Sequence, residues 1–170
     1  METIQINLFQ FEELNPEAQK NALDWYRSVA LQTDINLNLE VLEENLRGLL
    51  NTHKINTYKD LSLNYSLGYS QGDGASFTGC FKWKSYTITI KRGGAFYVHE
   101  KSTYINGEST KTGKEWGEKA EAEFKEIYLN ICRAVAKRGY SIIEAVSEEE
   151  ALSDNIKVNE YTFLESGKRF

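Results

Sequence analysis

Hydrophobic and polar residues recur along this chain with two different periods. The segment Thr3 to Phe11 alternates with a period of two, which predicts a strand. At Asn15 the pattern becomes helical, because Asn15 can accept a hydrogen bond from the first free amides and Pro16 suits the first helical position. A second helix is predicted from Leu37 to Leu50, where leucines form one stripe.

From Leu61 the period returns to two and predicts four antiparallel strands in a meander. The turn signals are the QGDG segment and Arg92–Gly94, and the fourth strand is expected to run from Phe96 toward Ile105. The face expected to be buried carries Leu63, Tyr65, Leu67, Phe77, Phe81, Trp83, Ile88 and Ile90. The opposite, outer face carries Ser62, Asn64, Ser66, Ser70, Ser76 and Thr78, followed by Lys82, Lys84, Thr87, Thr89, Lys91, Tyr97, His99 and Lys101.

The last third of the chain is predicted to be mainly helical. A long helix is expected from Lys114 to Val146, with Gly139 as a break or bend, and its buried stripe includes Phe124, Ile127 and Ile131. Ser147 and Glu150 have capping-box spacing for a short last helix, and the C-terminus is predicted to be a strand, a turn at Glu165–Gly167 and a strand. The predicted class is α+β: an antiparallel β-meander with helices packed on one face, in a single domain over residues 1–170.

Composition bounds the classes of protein to which this chain can belong. The 170 residues fit one domain, and a hydrophobic fraction of 41% with 12% aromatics argues against global disorder. No apolar run approaches the roughly 20 residues that a membrane helix needs, and the N-terminus lacks the pattern of a secretory signal. We therefore expect a soluble cytoplasmic protein without a membrane partner, with Cys80 and Cys132 as reduced thiols.

The net charge of −5 conceals an uneven distribution. Between Lys54 and Lys114 there are nine basic and four acidic residues, whereas the remainder has eleven basic and twenty-one acidic residues. The segment predicted to form the sheet is thus basic and its flanks are acidic, which matters for the choice of partner.

Catalytic and metal chemistry find little support in the sequence. The two histidines, His53 and His99, are not in an arrangement that indicates a Ser–His–Asp triad, and no spacing of His and Cys matches a zinc site. We therefore predict a protein that is not an enzyme and uses no cofactor and no metal, with an enzyme that acts on nucleotides as a third alternative.

Two groups of residues are candidates for binding. The first is the loop Ser70, Gln71, Gly72, Asp73 and Gly74, which is either a glycine-rich hairpin turn or a ligand-binding loop. As a phosphate cradle it would have backbone amides, but the carboxylate of Asp73 would repel the anion. As a calcium site it offers too few oxygen ligands.

The second group lies on the outer face of the predicted sheet and comprises Lys82, Lys84, Lys91, Tyr97, His99 and Lys101. It is either an ordinary solvated face or a docking surface for an acidic protein or a nucleotide phosphate. Direct binding of nucleic acid is not expected, because Tyr97 is the one aromatic residue that clearly falls on this face.

Three segments, taken in order, resemble a family of small phage and prophage proteins, some of which are labelled as antitoxins of toxin–antitoxin systems. They are FQFEELNPEAQKNALDWYR, YSLGYSQGDGASFTG and NEYTFLESGKRF, and the SQGDG-containing piece is the most specific. The resemblance implies a phage setting in the host cytoplasm. We expect a non-enzymatic accessory protein that binds and inhibits a host protein, with a defence-related factor as the target. The alternative is a nucleotide-binding or nucleotide-sequestering protein that uses the SQGDG loop and the basic sheet face.

Overall fold

The computed structural model describes residues 6–94 and 97–170, with the backbone alone for residues 30–38. The fold is α+β, as predicted. Its elements are β1 (Phe9–Gln10), α1 (Pro16–Thr52), β2 (Ile55–Ser66), β3 (Gly74–Trp83), β4 (Tyr86–Arg92), β5 (Thr103–Ser109), α2 (Glu118–Ser147), α3 (Glu149–Val158) and β6 (Thr162–Phe163). By its internal contacts the chain divides into one unit of Met1–Asn38 with Ser141–Phe170 and a second unit of Leu39–Tyr140.

The first unit has a small apolar core at the beginning of α1. Asn15 Oδ1 accepts a hydrogen bond from the Ala18 N–H at 2.9 Å, which confirms the predicted N-cap. β1 pairs with β6, and the predicted C-terminal turn is present, with Gly167 at a φ of +81°. A side chain at Gly167 would overlap the carbonyl of Ala18, so the glycine lets the C-terminal turn pack directly on the helix. The core of this unit comprises Phe11, Leu14, Ala18, Ala22, Ile156 and Phe163.

The second unit is built on the four-stranded sheet β2-β3-β4-β5, in which each strand is antiparallel to the next. The predicted meander and its register are confirmed, since Phe81 and Trp83 are buried whereas Lys82 between them is exposed. The ring centroids of Phe124 on α2 and Trp83 on β3 lie 5.2 Å apart, so α2 covers the face of the sheet that carries Phe81 and Trp83. Of the residues predicted to be buried, Leu63, Tyr65, Leu67 and Ile127 are only half-buried.

The N-terminal third of the chain differs from the prediction in three places. The two predicted helices are one helix, α1, because no glycine or proline interrupts residues 17–47 and nothing forces the backbone to leave its hydrogen-bonded ladder. The first strand is confined to Phe9–Gln10, because the chain enters a 3₁₀ turn at Phe11; Thr3–Gln5 of the predicted strand lie outside the described residues. β2 begins at Ile55 and not at Leu61.

Two expectations about α2 are also wrong. Gly139 does not break the helix, which continues to Ser147. It is buried, and a side chain there would overlap Leu67, so the glycine lets Leu67, just after the end of β2, pack closely on α2. Ser147 is the last residue of α2, and Glu148 takes the N-cap position of α3 without a side-chain hydrogen bond. The predicted capping box is therefore not formed.

No helix in the described ranges combines the length and the apolar character that crossing a membrane requires.

Candidate functional site

The loop between β2 and β3 is shaped by the carboxylate of Asp73. Its Oδ1 accepts a hydrogen bond from the Ser66 hydroxyl at 2.6 Å, and its Oδ2 accepts one from the Ser70 N–H at 2.7 Å. The Asp73 N–H in turn donates to the Ser70 carbonyl at 3.1 Å. The prediction that this loop joins two adjacent antiparallel strands is confirmed, and the backbone bond from Asp73 to Ser70 closes it as a β-turn.

Both glycines of the loop have positive φ angles, +90° at Gly72 and +147° at Gly74, which confirms that part of the loop prediction. Each also lies against the segment that precedes β5. A side chain at Gly72 would overlap the ring of Tyr97, and a Cβ at Gly74 would lie 3.0 Å from the Cβ of His99. The two glycines are therefore explained by close packing of the loop on this segment.

The electrostatics of the loop disfavour an anionic ligand. The hydrogen bonds from the Ser66 hydroxyl and from the backbone amides of Ser70 and Gly68 hold the pKa of the Asp73 carboxyl below its ordinary value, so it is ionised at neutral pH. The Ser70 amide, which a phosphate would use, therefore already donates to a carboxylate. The loop was expected to be exposed, but exposure is confined to Ser70 and Gln71, since Gly74 is buried.

Tyr97, His99 and Lys101 do not lie on a strand, so their predicted place on the sheet face is wrong. β5 starts only at Thr103, because the His99 carbonyl accepts the Ser102 N–H at 3.0 Å and His99 Nδ1 accepts the Lys101 N–H at 3.1 Å. These local bonds favour a 3₁₀ turn over a strand ladder. The segment also contacts the loop, where the Val98 N–H donates to the Gly72 carbonyl at 3.4 Å. Residues that the sequence assigned to the sheet face, such as Tyr97 and His99, therefore contact the predicted binding loop.

The outer sheet face is the surface opposite α2, and cross-strand pairing defines its rows. Lys82 lies beside Thr87, and Lys91 lies beside Tyr104. Both lysines are exposed, as predicted. Lys84 is not part of this face: it sits at a φ of +51° in the β3–β4 turn, and its ammonium group binds the carboxylate of Glu123 on α2 at 2.5 Å.

Two tyrosines on the outer sheet face were missed by sequence reasoning. Tyr58 and Tyr104 are 66% and 67% exposed, and the Lys82 ammonium lies 5.0 Å from the centre of the Tyr58 ring. Tyr58 was missed because β2 was predicted to begin after it. The β-prone residues Ile55 and Tyr58 upstream of Leu61 were the signal that could have extended the strand.

One corner of the outer face is buried and not solvated as predicted. Ser76 is fully buried beside Asn64 of the neighbouring strand, at the end of β3 where Gly74 contacts His99. The Ser76 hydroxyl and the Asn64 Nδ2 both lack a hydrogen-bond partner among the described residues. The free outer face is therefore the part that carries Lys82, Lys91 and the two tyrosines.

The described residues offer little for catalysis. No three His, Cys, Asp or Glu side chains within them are placed to hold a metal ion. Burial raises the pKa of the Cys132 thiol to about 12, so it is not a thiolate at neutral pH. Cys80 is half-buried on the outer face, with its sulfur 4.0 Å from the Thr89 hydroxyl.

Comparison with known proteins finds no matching family model, no similar curated protein and no similar solved structure.

Proposed function

We propose that the protein is a non-enzymatic binding protein that docks on an acidic surface of a partner protein through its outer sheet face. The observation that carries this proposal is the pair of widely exposed tyrosines, Tyr58 and Tyr104, on a face that also presents Lys82 and Lys91. Tyrosines are enriched at the energetic centres of protein interfaces. That the partner is a host protein follows from the resemblance to phage proteins.

The spacing of the tyrosines favours a protein partner over a single-stranded nucleic acid. Tyr58 is on β2 and Tyr104 is on β5, so three strand spacings separate them, about 14 Å across the sheet. Successive bases that stack on aromatic side chains need platforms much closer together. A protein interface, in contrast, buries about 800 Å² on each side, which is wide enough to include both rings.

The charges of the face suit an acidic partner. Lys82 and Lys91 are both exposed and make no salt bridge within the described residues, whereas Lys84 and Lys125 bind glutamates of α2. Such uncompensated rim charges mainly speed encounter and select the partner, and the tyrosines supply the apolar contact area. Two carboxylates lie near these lysines: Glu108 is in the same cross-strand row as Lys82, and Asp60, which pairs with Lys59 at 3.6 Å, lines the same pocket as Lys91.

The nucleotide alternative has weaker support, because the loop expected to cradle the phosphate directs amides at its own Asp73 carboxylate. A thermal-shift panel of mono-, di- and cyclic nucleotides tests this alternative directly. A nucleotide that raises the melting temperature at micromolar concentration would favour the nucleotide function over the protein-binding one.

The decisive experiment is affinity capture from a lysate of the host with matched variants of the full chain. We expect the double variant Lys82→Glu/Lys91→Glu to lose the captured protein, and Tyr58→Ala/Tyr104→Ala to do the same. The matched control, Lys111→Glu/Lys137→Glu, makes the same change in charge at exposed lysines on other elements and should retain capture.

The melting temperature of each variant separates lost binding from lost folding. Capture that survives in both outer-face variants would refute the proposal. Capture that is lost only on Glu148→Lys/Glu149→Lys would assign binding to the acidic helices instead.

A further inference from the structure

The edge of β5 is only partly covered by the chain itself. The short segment 114–116 runs antiparallel along the second half of β5, where the Ser109 N–H donates to the Lys114 carbonyl at 2.8 Å and the Trp116 N–H donates to the Gly107 carbonyl at 2.9 Å. The chain then turns into α2. This segment does not extend along the first half of β5, which is therefore an open edge of the sheet.

The two bonds to segment 114–116 reveal which backbone groups point away from β4. In a strand, the backbone groups of alternate residues point to the same side. Because Gly107 and Ser109 bond to the edge side, Ile105 directs its N–H and carbonyl there as well, together with the N–H of Gly107. Within the described ranges these three groups have no hydrogen-bond partner on that side.

A groove lies along this open edge, between β5 and α2. It has a volume of about 340 Å³ and is lined in part by Ile105, Tyr128 and Leu129. The Ile105 side chain is on the inner face of the sheet, paired with Ile90, and is half-buried. The added residue opposite Ile105 would share its face, so its side chain would enter this groove.

The charges of the groove are already compensated. Glu121 binds Lys125 at 2.5 Å, and Glu100 lies 3.4 Å from the guanidinium of Arg133. These paired carboxylates offer little to recruit a charged side chain, whereas Ile105 and Leu129 provide apolar walls. An aliphatic side chain therefore fits the groove best.

We propose that the edge of β5 binds an extended peptide segment of a partner protein by strand addition, with one aliphatic side chain of that segment in the groove against Ile105 and Leu129. Backbone hydrogen bonds to Ile105 and Gly107 supply affinity, and the groove selects the side chain. This peptide site uses the edge of β5 and the groove beside α2, and it adjoins the outer sheet face at Tyr104, which also lines the groove. It extends the proposed function to a second surface.

A second copy of this chain is a poorer occupant. The open edge from Thr103 to Gly107 is five residues long, about 17 Å at the usual rise per residue. Pairing two such edges would bury far less than the roughly 1,200–2,000 Å² of a stable interface. A peptide needs only the edge and its anchoring side chain.

Amide hydrogen exchange of the free protein gives the first test. The amides of Tyr104 and Asn106 point toward β4, so we expect them to exchange at least about 100-fold more slowly than that of Ile105. An Ile105 amide as protected as that of Asn106 in a monomer would overturn the proposal. The same protection in a dimer, seen by sedimentation, would assign the edge to a second copy and overturn it equally.

The second test uses seven-residue peptides selected from a random displayed library on the immobilised full chain. We expect selected peptides to slow exchange at Ile105, and Ile105→Pro, which removes the edge N–H, to weaken binding at least about tenfold. Leu129→Ala should weaken binding similarly, so the test stands even if Ile105→Pro does not fold. The control variant Lys82→Glu/Lys91→Glu should bind the peptides unchanged.

Three outcomes of the selection would overturn the proposal. They are a failure to enrich any peptide, selected peptides that leave the Ile105 amide unprotected, and peptides that lose binding only on Lys82→Glu/Lys91→Glu. Because the outer-face proposal is tested on the captured host protein, either proposal can fail without the other.

Discussion

Replacement of Gly72 by alanine tests whether the SQGDG loop is shaped by its packing on Tyr97. The φ of +90° is strained for alanine, which costs about 1–2 kcal/mol. The new Cβ would also overlap the Tyr97 ring. Overpacking of a core costs about 1–3 kcal/mol. Because Tyr97 is 52% exposed, its ring can move away from the new Cβ, so we expect an overpacking cost of about 1 kcal/mol at this position. Gly72→Ala should therefore lower the free energy of unfolding by about 2–3 kcal/mol.

Gly113 provides the matched control, because it has a φ of +66° and no atom lies within 4 Å of the position that an added Cβ would take. Gly113→Ala carries the backbone cost alone, about 1 kcal/mol. The contact cost at Gly72 is then isolated with the background variant Tyr97→Ala. In that background Gly72→Ala should cost about 1 kcal/mol less, which is the coupling energy of the double-mutant cycle.

Urea unfolding followed by tryptophan fluorescence measures all four proteins of the cycle and the control. A Gly72→Ala variant that costs no more free energy of unfolding than Gly113→Ala, and costs the same with and without the Tyr97 ring, would contradict packing of the loop on Tyr97. That result would leave the glycine without a packing role and return the loop to consideration as a ligand site.

Three further predictions concern the core and the loop. Phe81→Ala should lower the free energy of unfolding by about 3–5 kcal/mol, because Phe81 is fully buried, and a loss below about 1 kcal/mol in urea unfolding would contradict the packing. Ser76→Ala should raise it by about 1 kcal/mol, since the buried hydroxyl has no partner among the described residues; a clear loss of stability would show that the hydroxyl is bonded. The carboxyl of Asp73, followed by NMR, should titrate below its ordinary value of 3.8, and Ser66→Ala should move its pKa upward. Because the folded-state pKa is lowered, the stabilisation from Asp73 is present above pH 3.8 and is lost as the pH falls through the folded-state pKa; an unchanged pKa in Ser66→Ala would contradict the hydrogen bond.

Local patterns determined the parts of this fold that depend on residues near one another in sequence. The alternation around Phe81 and Trp83 sets the register of the sheet, because a shift of one residue would expose both rings. Asn15 and Pro16 mark the start of α1, and the Asp73 segment marks a turn, since cap and turn chemistry act within a few residues.

The tertiary structure decided what local patterns leave open. The period of Tyr97 and His99 fits a strand, but their contacts with Gly72 and Gly74, about twenty-five residues away, hold them in a turn against the loop. The candidate site in the structure differs from the predicted one for the same reason. Tyr58 and Tyr104, distant in sequence, share the outer face through pairings of the sheet, and the groove beside Ile105 exists only because α2 packs along β5. Such contacts between remote residues have no local signal, because their free energy is gained only once the chain has folded.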